Sequence, residues 1–303
     1  MGYNSVVLIK QVPDTKQITG EAMNDDGTVN RRALPAIFNP EDLNALELAL
    51  TIKDEFGGTV TAMTMGLPSA GEVLRDALYR GADDAILITD IRCAASDTLA
   101  TSYILSCAVK QLDYDIVLCG RQAIDGDTAQ VGPQLAEKLG LVQVTCVEKL
   151  IGLEENAIKV RRNTGNGWQK VCTKLPALLT VTGDANEPRV AAAKRLMKYK
   201  NAVTTAELEK EIQSQQPQAG KEKFEKLLKD KSSQLDRKGL LIKQWSLDSF
   251  DIDLNWCGRG GSPTKVHRIQ SVVLTAKETR NVEPSEQAIA DMIHELIEDK
   301  TIA

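Results

Sequence analysis

The fold is decided by one run, Asp115-Ile-Val-Leu-Cys-Gly120-Arg-Gln-Ala-Ile-Asp125-Gly-Asp127-Thr-Ala-Gln130-Val-Gly132-Pro133. Its apolar first part predicts a buried strand that ends in a glycine, and a loop of small and acidic residues follows. We expect a helix to begin at Asp127, whose carboxylate can cap it, with Gln130 three residues later. In an open parallel sheet, such a junction forms a crevice at the carboxyl end of a strand. Backbone amides and the helix dipole favour a phosphate there, so the run predicts a nucleotide site.

Strand and helix patterns alternate over the first half of the chain, which predicts an α/β fold with a parallel sheet and helices on both faces. We expect strands over 5–12, 59–65 and 85–88, and a turn over 25–27. Asn39 is expected to N-cap a helix that has Pro40 at its first position and ends at 57–58.

Two more helices are expected before the decisive strand. Ser69 and Glu72 predict a capping box for the first of them, which ends at Gly81. The second covers about 96–112, and the helix that follows the decisive loop is expected to end at Gly140.

The pattern changes after Leu141. Short β-rich segments centred on Val144, Val160, Val171 and Leu179, with a turn over 163–167, predict antiparallel strands that extend the sheet. Residues 206–238 are rich in Lys, Glu and Gln, which predicts a solvated helix or a flexible segment rather than core.

The end of the chain is unusual for a self-contained domain. It holds Gly258-Arg-Gly-Gly-Ser-Pro-Thr264 and an amphipathic helix over about 285–298, but few apolar residues that could anchor it. We therefore expect it to lie on a partner chain; a loose terminus is the alternative.

Composition excludes several classes of function. A net charge of −5 without a dominant basic face, and 4% aromatic residues, argue against nucleic-acid binding. No apolar run approaches 18 residues, so we expect no membrane insertion, and the first residues lack the features of a signal peptide. The six cysteines form no C-x-x-C pair, which fits a reduced cytoplasmic setting.

The usual catalytic and nucleotide motifs are missing. The sequence has neither G-x-G-x-x-G after the first strand, nor a P-loop, nor G-x-S-x-G, and its two histidines, His267 and His294, lie in the tail. We therefore assign no catalytic residue. A nucleotide site without a visible acid, base or nucleophile suits a redox carrier, in which the cofactor does the chemistry. An ordinary connection between strand and helix remains the alternative reading of the loop.

The decisive loop, Gly120 to Gly132, closely resembles the nucleotide loop of the electron-transfer flavoprotein β subunit. Further segments resemble the same family in the same order, so that the match spans nearly the whole chain. They are Val7-Leu-Ile-Lys-Gln-Val-Pro13, Asn39-Pro-Glu-Asp-Leu-Asn-Ala-Leu-Glu47, Arg75-Asp-Ala-Leu-Tyr-Arg-Gly-Ala-Asp83, Leu175-Pro-Ala177, Asn186-Glu-Pro-Arg189 and Gly260-Gly-Ser-Pro-Thr-Lys265.

The resemblance implies a heterodimer with an α subunit that holds the electron-transferring FAD, while this chain binds a second nucleotide. In some members that nucleotide is a structural AMP; in the bifurcating members it is a second FAD, which NADH reduces. The Asn39 to Glu47 pattern resembles the bifurcating and nitrogen-fixation-linked branch, so we expect FAD, with AMP as the alternative. The implied pocket residues are Leu8, Asn39, Asp42, Met65, Gly120, Arg121, Gln122, Ala123, Ile124, Asp125, Gly126, Asp127, Thr128, Ala129, Gln130 and Val131.

The resemblance also implies a loop that recognises a partner, an acyl-CoA dehydrogenase or another flavin dehydrogenase. The family anchors this loop with a leucine, but the matching residue here is Ala193. Either Leu196 or Met197 is expected to replace the leucine, or the partner differs from the usual acyl-CoA dehydrogenase. The chain then divides into a nucleotide-binding domain (1–184), a recognition loop with a charged helical segment (185–240) and a C-terminal arm on the α subunit (241–303).

A remote alternative function is that of an ATP-binding stress protein or adenylating protein of related topology. Such a protein needs a glycine-rich phosphate loop after the first strand, where this chain has Lys10-Gln-Val-Pro13.

Overall fold

The computed structural model describes residues 2–14, 35–218, 220–264 and 281–298. Its strands are β1 Ser5–Leu8, β2 Gln11–Pro13, β3 Ala36–Phe38, β4 Val60–Met65, β5 Asp84–Ile88, β6 Ile116–Gly120, β7 Val142–Glu154, β8 Ala157–Asn163, β9 Trp168–Lys174, β10 Ala177–Val181, β11 Val203–Thr204 and β12 Leu241–Trp245. Its helices are α1 Pro40–Phe56, α2 Gly71–Arg80, α3 Thr98–Val109, α4 Val131–Leu139, α5 Ala193–Tyr199, α6 Thr205–Gln215, α7 Lys221–Arg237, α8 Gly258–Gly261 and α9 Glu286–Glu298.

One mixed, mostly parallel sheet organises the molecule, in the order β11-β12-β5-β4-β1-β6-β10-β7-β8-β9. Strand β1 pairs in parallel with β4 on one side and with β6 on the other. The chain builds outward from β1 through β4 to β5, and then returns to the opposite side of β1 to form β6. The strand order therefore reverses between β1 and β6, and a ligand crevice is expected at their carboxyl ends.

Helices cover both faces of the sheet, because the side chains of its central strands are apolar on both sides. Val7 and Leu118 point into an apolar cluster that they share with residues of α1 and α2. Their neighbours Val6 and Val117 point into a second cluster, which α3 and α4 complete. This alternation follows the two-residue period of a strand, and it confirms the predicted Rossmann-like α/β class.

The helix predicted after Asn39 is confirmed, with Pro40 at its start and Gly57 at its end. The first strand is shorter than predicted, because β1 ends at Leu8. Residues Gln11–Pro13 instead pair with β3 in a separate antiparallel ribbon. The ribbon redirects the chain, so that the beginning of α1 comes to lie beside the end of β6.

The predicted capping box of Ser69 and Glu72 is wrong. A tight helical turn, Pro68–Ala70, runs directly into α2, so Ala70 occupies the N-cap position in a helical conformation. The backbone of this turn replaces the side-chain cap, and the hydroxyl of Ser69 lies against Gln11 instead. The predicted end of the helix at Gly81 is confirmed.

The strand around Leu179 is not antiparallel, contrary to the prediction from its composition. It forms β10, which runs parallel to β6 and β7 and lies between them. All five of its residues are buried, as is usual for an inner parallel strand covered on both faces. The predicted antiparallel extension is confirmed for β7, β8 and β9, with the turn over 163–167.

The charged segment and the arm contribute more to the fold than their composition predicted. Helix α6 buries Leu208 and Ile212, whereas every residue of α7 is exposed or half-buried. Strand β12, which the sequence placed in the arm, pairs in parallel with β5 and belongs to the main sheet.

Two sequence features, the turn over 25–27 and His267, lie outside the described residues. In the described part of the chain, no helix is long and apolar enough to cross a membrane.

Candidate functional site

The carboxyl ends of β1 and β6 are joined by a side chain from α1. Asp42, in the first turn of that helix, is 7% exposed. Its carboxylate accepts a hydrogen bond of 2.8 Å from the amide of Gly120 and one of 2.9 Å from the amide of Lys10. Asp42 therefore fixes the point at which the two strand-end loops separate.

Burial dominates the electrostatics of this carboxyl group. Desolvation raises the pKa of Asp42 to about 7, although the amide of Gly120, the Asn39 side chain, and both the amide and the charge of Lys10 act in the opposite direction. Asp42 therefore changes its protonation state close to neutral pH.

Asn39 and Glu41 hold the loop that follows β6. Asn39 is fully buried; its side-chain amide donates to the carbonyl of Gln122 at 2.9 Å and accepts from the amide of Ile124 at 3.1 Å. Glu41 accepts from the amide of Gln122 at 2.9 Å and pairs with the Arg121 guanidinium at 3.0 Å. Asn39 thus stands at the N-cap position as predicted, but its side chain binds the loop rather than its own helix.

Two glycines allow this close packing. A Cβ atom at Gly120 would lie 2.6 Å from a carboxylate oxygen of Asp42 and 2.9 Å from its backbone nitrogen. A Cβ atom at Gly132, in the first turn of α4, would lie 2.7 Å from a methyl carbon of Thr180. Real Cβ atoms do not approach other atoms this closely, so both positions require glycine.

The predicted helix start at Asp127 is wrong. Helix α4 begins at Val131, with Gln130 at its N-cap position and with the carboxamide of Gln130 accepting from Thr98. Asp127 has a left-handed φ of +46°, and its amide closes a turn on the carbonyl of Ala123. A capping side chain needs extended backbone at its own residue, which this turn does not provide.

The segment between that turn and α4 presents free amides. The amides of Thr128, Ala129 and Gln130, and those of Val131 and Gly132 in the first turn, meet no acceptor in the described ranges. Ala129 has a left-handed φ of +53°, and Gln130 follows in the right-handed helical region. Such alternation directs successive amides into a concave anion-binding surface, so these residues fit a phosphate group.

An ion pair belongs to the same loop. The Lys10 ammonium group contacts both carboxylate oxygens of Asp125, at 2.7 and 2.9 Å. The pair joins the loop after β1 to the loop after β6. It also offsets one of the two negative charges that the loop carries, which lowers the repulsion that a phosphate would meet.

Apolar residues from three elements pack together at this end of the sheet. Leu8 at the end of β1, Met65 at the end of β4 and Val131 at the start of α4 belong to one apolar cluster. Leu8 is buried, and the other two are half-buried. The structure thus brings together predicted residues of three separate segments. Four predicted residues of the loop are exposed, namely Gly126, Asp127, Thr128 and Gln130.

Two residues of this site, Lys10 and Glu41, were not among the pocket residues that the resemblance implied. Both stand inside segments that the sequence places at the crevice, close to the chosen Leu8 and Asp42. Their charge was the available signal, because acidic and basic side chains at strand ends have few roles besides pairing and ligand binding.

A groove of about 620 Å³ opens beside the same loop. It is lined by Glu41, Arg121, Cys146, Arg162, Asn163, Thr164, Gly165, Thr182, Gly183 and Asp184. The groove extends the site toward the carboxyl end of β10.

The sheet and its crevice define a doubly wound α/β protein with its candidate site at the reversal of strand order. A family model described as the electron transfer flavoprotein domain matches residues 26–211. The chain is 37% identical over 299 residues to the electron transfer flavoprotein subunit beta of Clostridium acetobutylicum, a match that covers 99% of this chain and 100% of the relative. The chain belongs to the electron transfer flavoprotein family, among its β subunits, and its role is electron transfer.

Two other relatives have different names. The chain is 40% identical over 296 residues to the protein FixA of Azorhizobium caulinodans, which covers 95% of this chain and 91% of that protein. It is 45% identical over 197 residues to the acryloyl-CoA reductase electron transfer subunit gamma of Anaerotignum propionicum, which covers 63% of this chain and 72% of that subunit. The family resemblance inferred from the motifs is therefore confirmed.

Proposed function

We propose that this chain pairs with a FAD-bearing α subunit and binds a second adenine nucleotide in the crevice between β1 and β6. The observation that carries the proposal is the row of free amides from Thr128 to Gly132, which faces no acceptor of the described chain. A row of amides at a helix start, at the reversal of strand order, is the arrangement in which α/β proteins hold phosphates.

Different residues of the chain bind different parts of the nucleotide in this proposal. The amides from Thr128 to Gly132 hold the phosphates, and the Asp127 carboxylate accepts from ribose hydroxyl groups. Leu8, Met65 and Val131 supply apolar surface for a ring system. Asn39, Glu41 and Asp42 bind no ligand directly in this proposal; they fix the loop backbone so that its amides are already in place.

We propose FAD as the nucleotide and NADH as its reductant, with AMP as the alternative. A bound FAD would accept an electron pair from NADH and pass electrons on singly, whereas AMP would have a structural role only. FAD is favoured by the resemblance of the Asn39 to Glu47 pattern to the bifurcating branch. Only the first part of that pattern contacts the loop, however, so the nucleotide must be identified directly.

The deciding experiment is nucleotide extraction from the purified αβ complex. Two flavins per complex, and bleaching of flavin absorbance by NADH alone, are the result that the FAD proposal expects. One flavin and one AMP would replace it with the plain electron carrier. A complex that releases one flavin and no further nucleotide would overturn the proposed pocket.

The surface proposed for the partner dehydrogenase is the segment from Val190 to Met197. Val190 is 83% exposed, Met197 62% and Leu196 39%. Ala193, which stands at the family's anchor position, begins α5. We assign the anchor to Leu196 and Met197, with Lys194 before them and Lys198 after them as charges for an acidic partner surface. The name of the Anaerotignum propionicum relative supports an acyl-CoA dehydrogenase type of partner.

The surface proposed for the α subunit is the end of the chain. Gly258–Gly261 and Ser262 are anchored on the body, since the buried Ser262 hydroxyl accepts from the amide of Asp97 at 2.8 Å. Helix α9 exposes Ile289, Met292, Ile293 and Ile297, each between 37% and 50%. Such a row of apolar side chains at helical spacing needs a covering surface, and the α subunit is the proposed one.

The compartment proposed is the cytoplasm. The six cysteines, all of them in the described part of the chain, are free thiols here and would remain so in that reducing compartment.

A further inference from the structure

Helix α1 makes a second set of contacts beyond the loop after β6. Asn44, one turn further along, is 5% exposed. Its side-chain nitrogen donates to the carbonyl of Asn186 at 2.7 Å and to that of Gly183 at 3.2 Å. The Asn186 side chain donates in return to the carbonyl of Asn44 at 3.0 Å. The two asparagines therefore bind each other's backbone.

A charged pair follows one turn later. The Arg189 guanidinium donates to both carboxylate oxygens of Glu47, at 2.8 and 2.9 Å, and the Arg189 amide adds a third bond of 2.9 Å. A second carboxylate, that of Asp54, lies 2.9 Å from the same guanidinium. The Glu47 side chain is 12% exposed and that of Arg189 33%, so the pair is partly shielded from water, and its forked geometry makes it stronger than a single-contact surface ion pair.

These contacts end where the proposed docking surface begins. The residue after Arg189 is Val190, and its side chain is directed to solvent. Beyond it, the amide of Ala192 donates to the carbonyl of Tyr79, and Arg195 donates to the carbonyl of Leu78 at 2.7 Å. Val190 thus lies between two sets of fixed points, and the exposed Leu196 and Met197 follow the second set directly.

We infer that Asn44, Glu47 and Arg189 are positioning residues, which hold the docking surface in its binding conformation before the dehydrogenase arrives. This inference rests on the proposed function of the segment from Val190 to Met197. The physical reason is that a surface ordered in advance does not lose conformational entropy on binding. The Asn39 to Glu47 pattern and the Asn186 to Arg189 pattern occur in the same chain because they contact each other. Asn44 binds Asn186, and Glu47 binds Arg189.

The test compares Glu47→Gln with Lys53→Gln in the αβ complex. Both changes remove one charge from α1, but Lys53 pairs with Asp83 and does not contact the segment. In Glu47→Gln, amides over 186–192 are expected to exchange with deuterium about tenfold faster, while those of 120–124 are unchanged. The KM for a short-chain acyl-CoA dehydrogenase, reduced with its acyl-CoA substrate, is expected to rise about tenfold at an unchanged kcat. Lys53→Gln should alter neither quantity.

Unchanged exchange over 186–192 in Glu47→Gln would overturn the inference, and so would faster exchange with an unchanged KM. Arg189→Lys provides a second variant if Glu47→Gln does not fold, because lysine keeps the charge but loses the fork, and about half the effect in each readout is expected. If the wild-type complex exchanges no electrons with the dehydrogenase, the proposed function fails, and the deuterium exchange still decides whether these residues hold the segment.

Discussion

At the scale of single residues, the site depends on a close approach between Gly120 and Asp42. The glycine lets the last residue of β6 touch the first turn of α1, and the aspartate binds that residue's amide at 2.8 Å. The result is a rigid corner from which the loop leaves. Both residues were predicted as ligand contacts, and the structure gives them a role in holding the loop.

Gly120→Ala is therefore expected to destabilise the protein by about 1–3 kcal/mol, because the new methyl group meets backbone atoms of α1 that cannot move aside. Gly126→Ala is the matched control in the same loop, since a methyl group added there would have nothing within 4 Å. The free energy of unfolding from urea titration measures both. Equal stability of the two variants would contradict the close packing at Gly120.

Asp42 is expected to make stability depend on pH. Its pKa is about 7 in the folded protein against an ordinary value of 3.8, so between these values the folded state holds a proton that the unfolded state has lost. The free energy of unfolding therefore falls as the pH rises from about 4 to about 7, by up to about 1.4 kcal/mol per pH unit for this one group.

Asp42→Asn removes that titration. The stability of the variant relative to the wild type is expected to increase with pH across this window, as measured by urea titrations at several pH values. A relative stability that is flat across the window would show that Asp42 does not titrate there.

At the scale of elements, the sequence placed helices and strands well, but it misjudged the start of α4, the extent of β1 and the strand partners of β10. The first turns of helix α1 contact three different parts of the chain. These are the ends of β1 and β6, the loop that follows β6 and the segment at Asn186. Helix α6 contributes to the core, although its composition predicted a solvated segment. Both cases show elements whose importance comes from contacts with distant parts of the chain.

Helix α6 begins with a capping box that offers a test. The Thr204 hydroxyl accepts from the Glu207 amide, and the Glu207 carboxylate accepts from the Thr204 amide at 2.8 Å and pairs with Arg75. Thr204→Ala is expected to cost about 1 kcal/mol in the free energy of unfolding. Thr205→Ala, one residue later, lacks this role and should change stability much less. A cost at Thr205 as large as at Thr204 would contradict the assignment of the cap.

At the scale of the whole molecule, the exposed apolar side chains of the described chain include those of the segment from Val190 to Met197 and those on one face of α9. The two surfaces belong to different proposed partners. A permanent partner on α9 and a transient one on the segment would let the same complex stay assembled while it exchanges dehydrogenases.

Ile293→Lys on α9 is expected to weaken binding of the α subunit by about 10- to 100-fold, since a buried isoleucine contributes about 1.5–3 kcal/mol. Gln287→Lys introduces the same charge on the exposed polar face of α9 and should leave the affinity nearly unchanged. Sedimentation of mixed subunits measures both dissociation constants. An unaltered Kd for Ile293→Lys would place the α subunit on another surface.

The sequence by itself determined the class of fold, the strand and loop from Asp115 onward, the ends of helices at Gly57, Gly81 and Gly140, and the family. These features depend on local signals, such as apolar period, glycine at a helix end, or a contiguous motif, so they can be read from neighbouring residues. The resemblance also identified the segments that the fold brings to the switch point.

Only the tertiary structure decided which residues act on which. In the structure, α4 begins at Val131 rather than at the predicted Asp127. The strand at Leu179 is parallel rather than antiparallel, and β12 belongs to the main sheet. The tertiary structure also joined Glu47 to Arg189, which are 142 positions apart. Each of these outcomes follows from burial or hydrogen bonding between distant segments, whose energy outweighs local preference and leaves no periodic trace in the sequence.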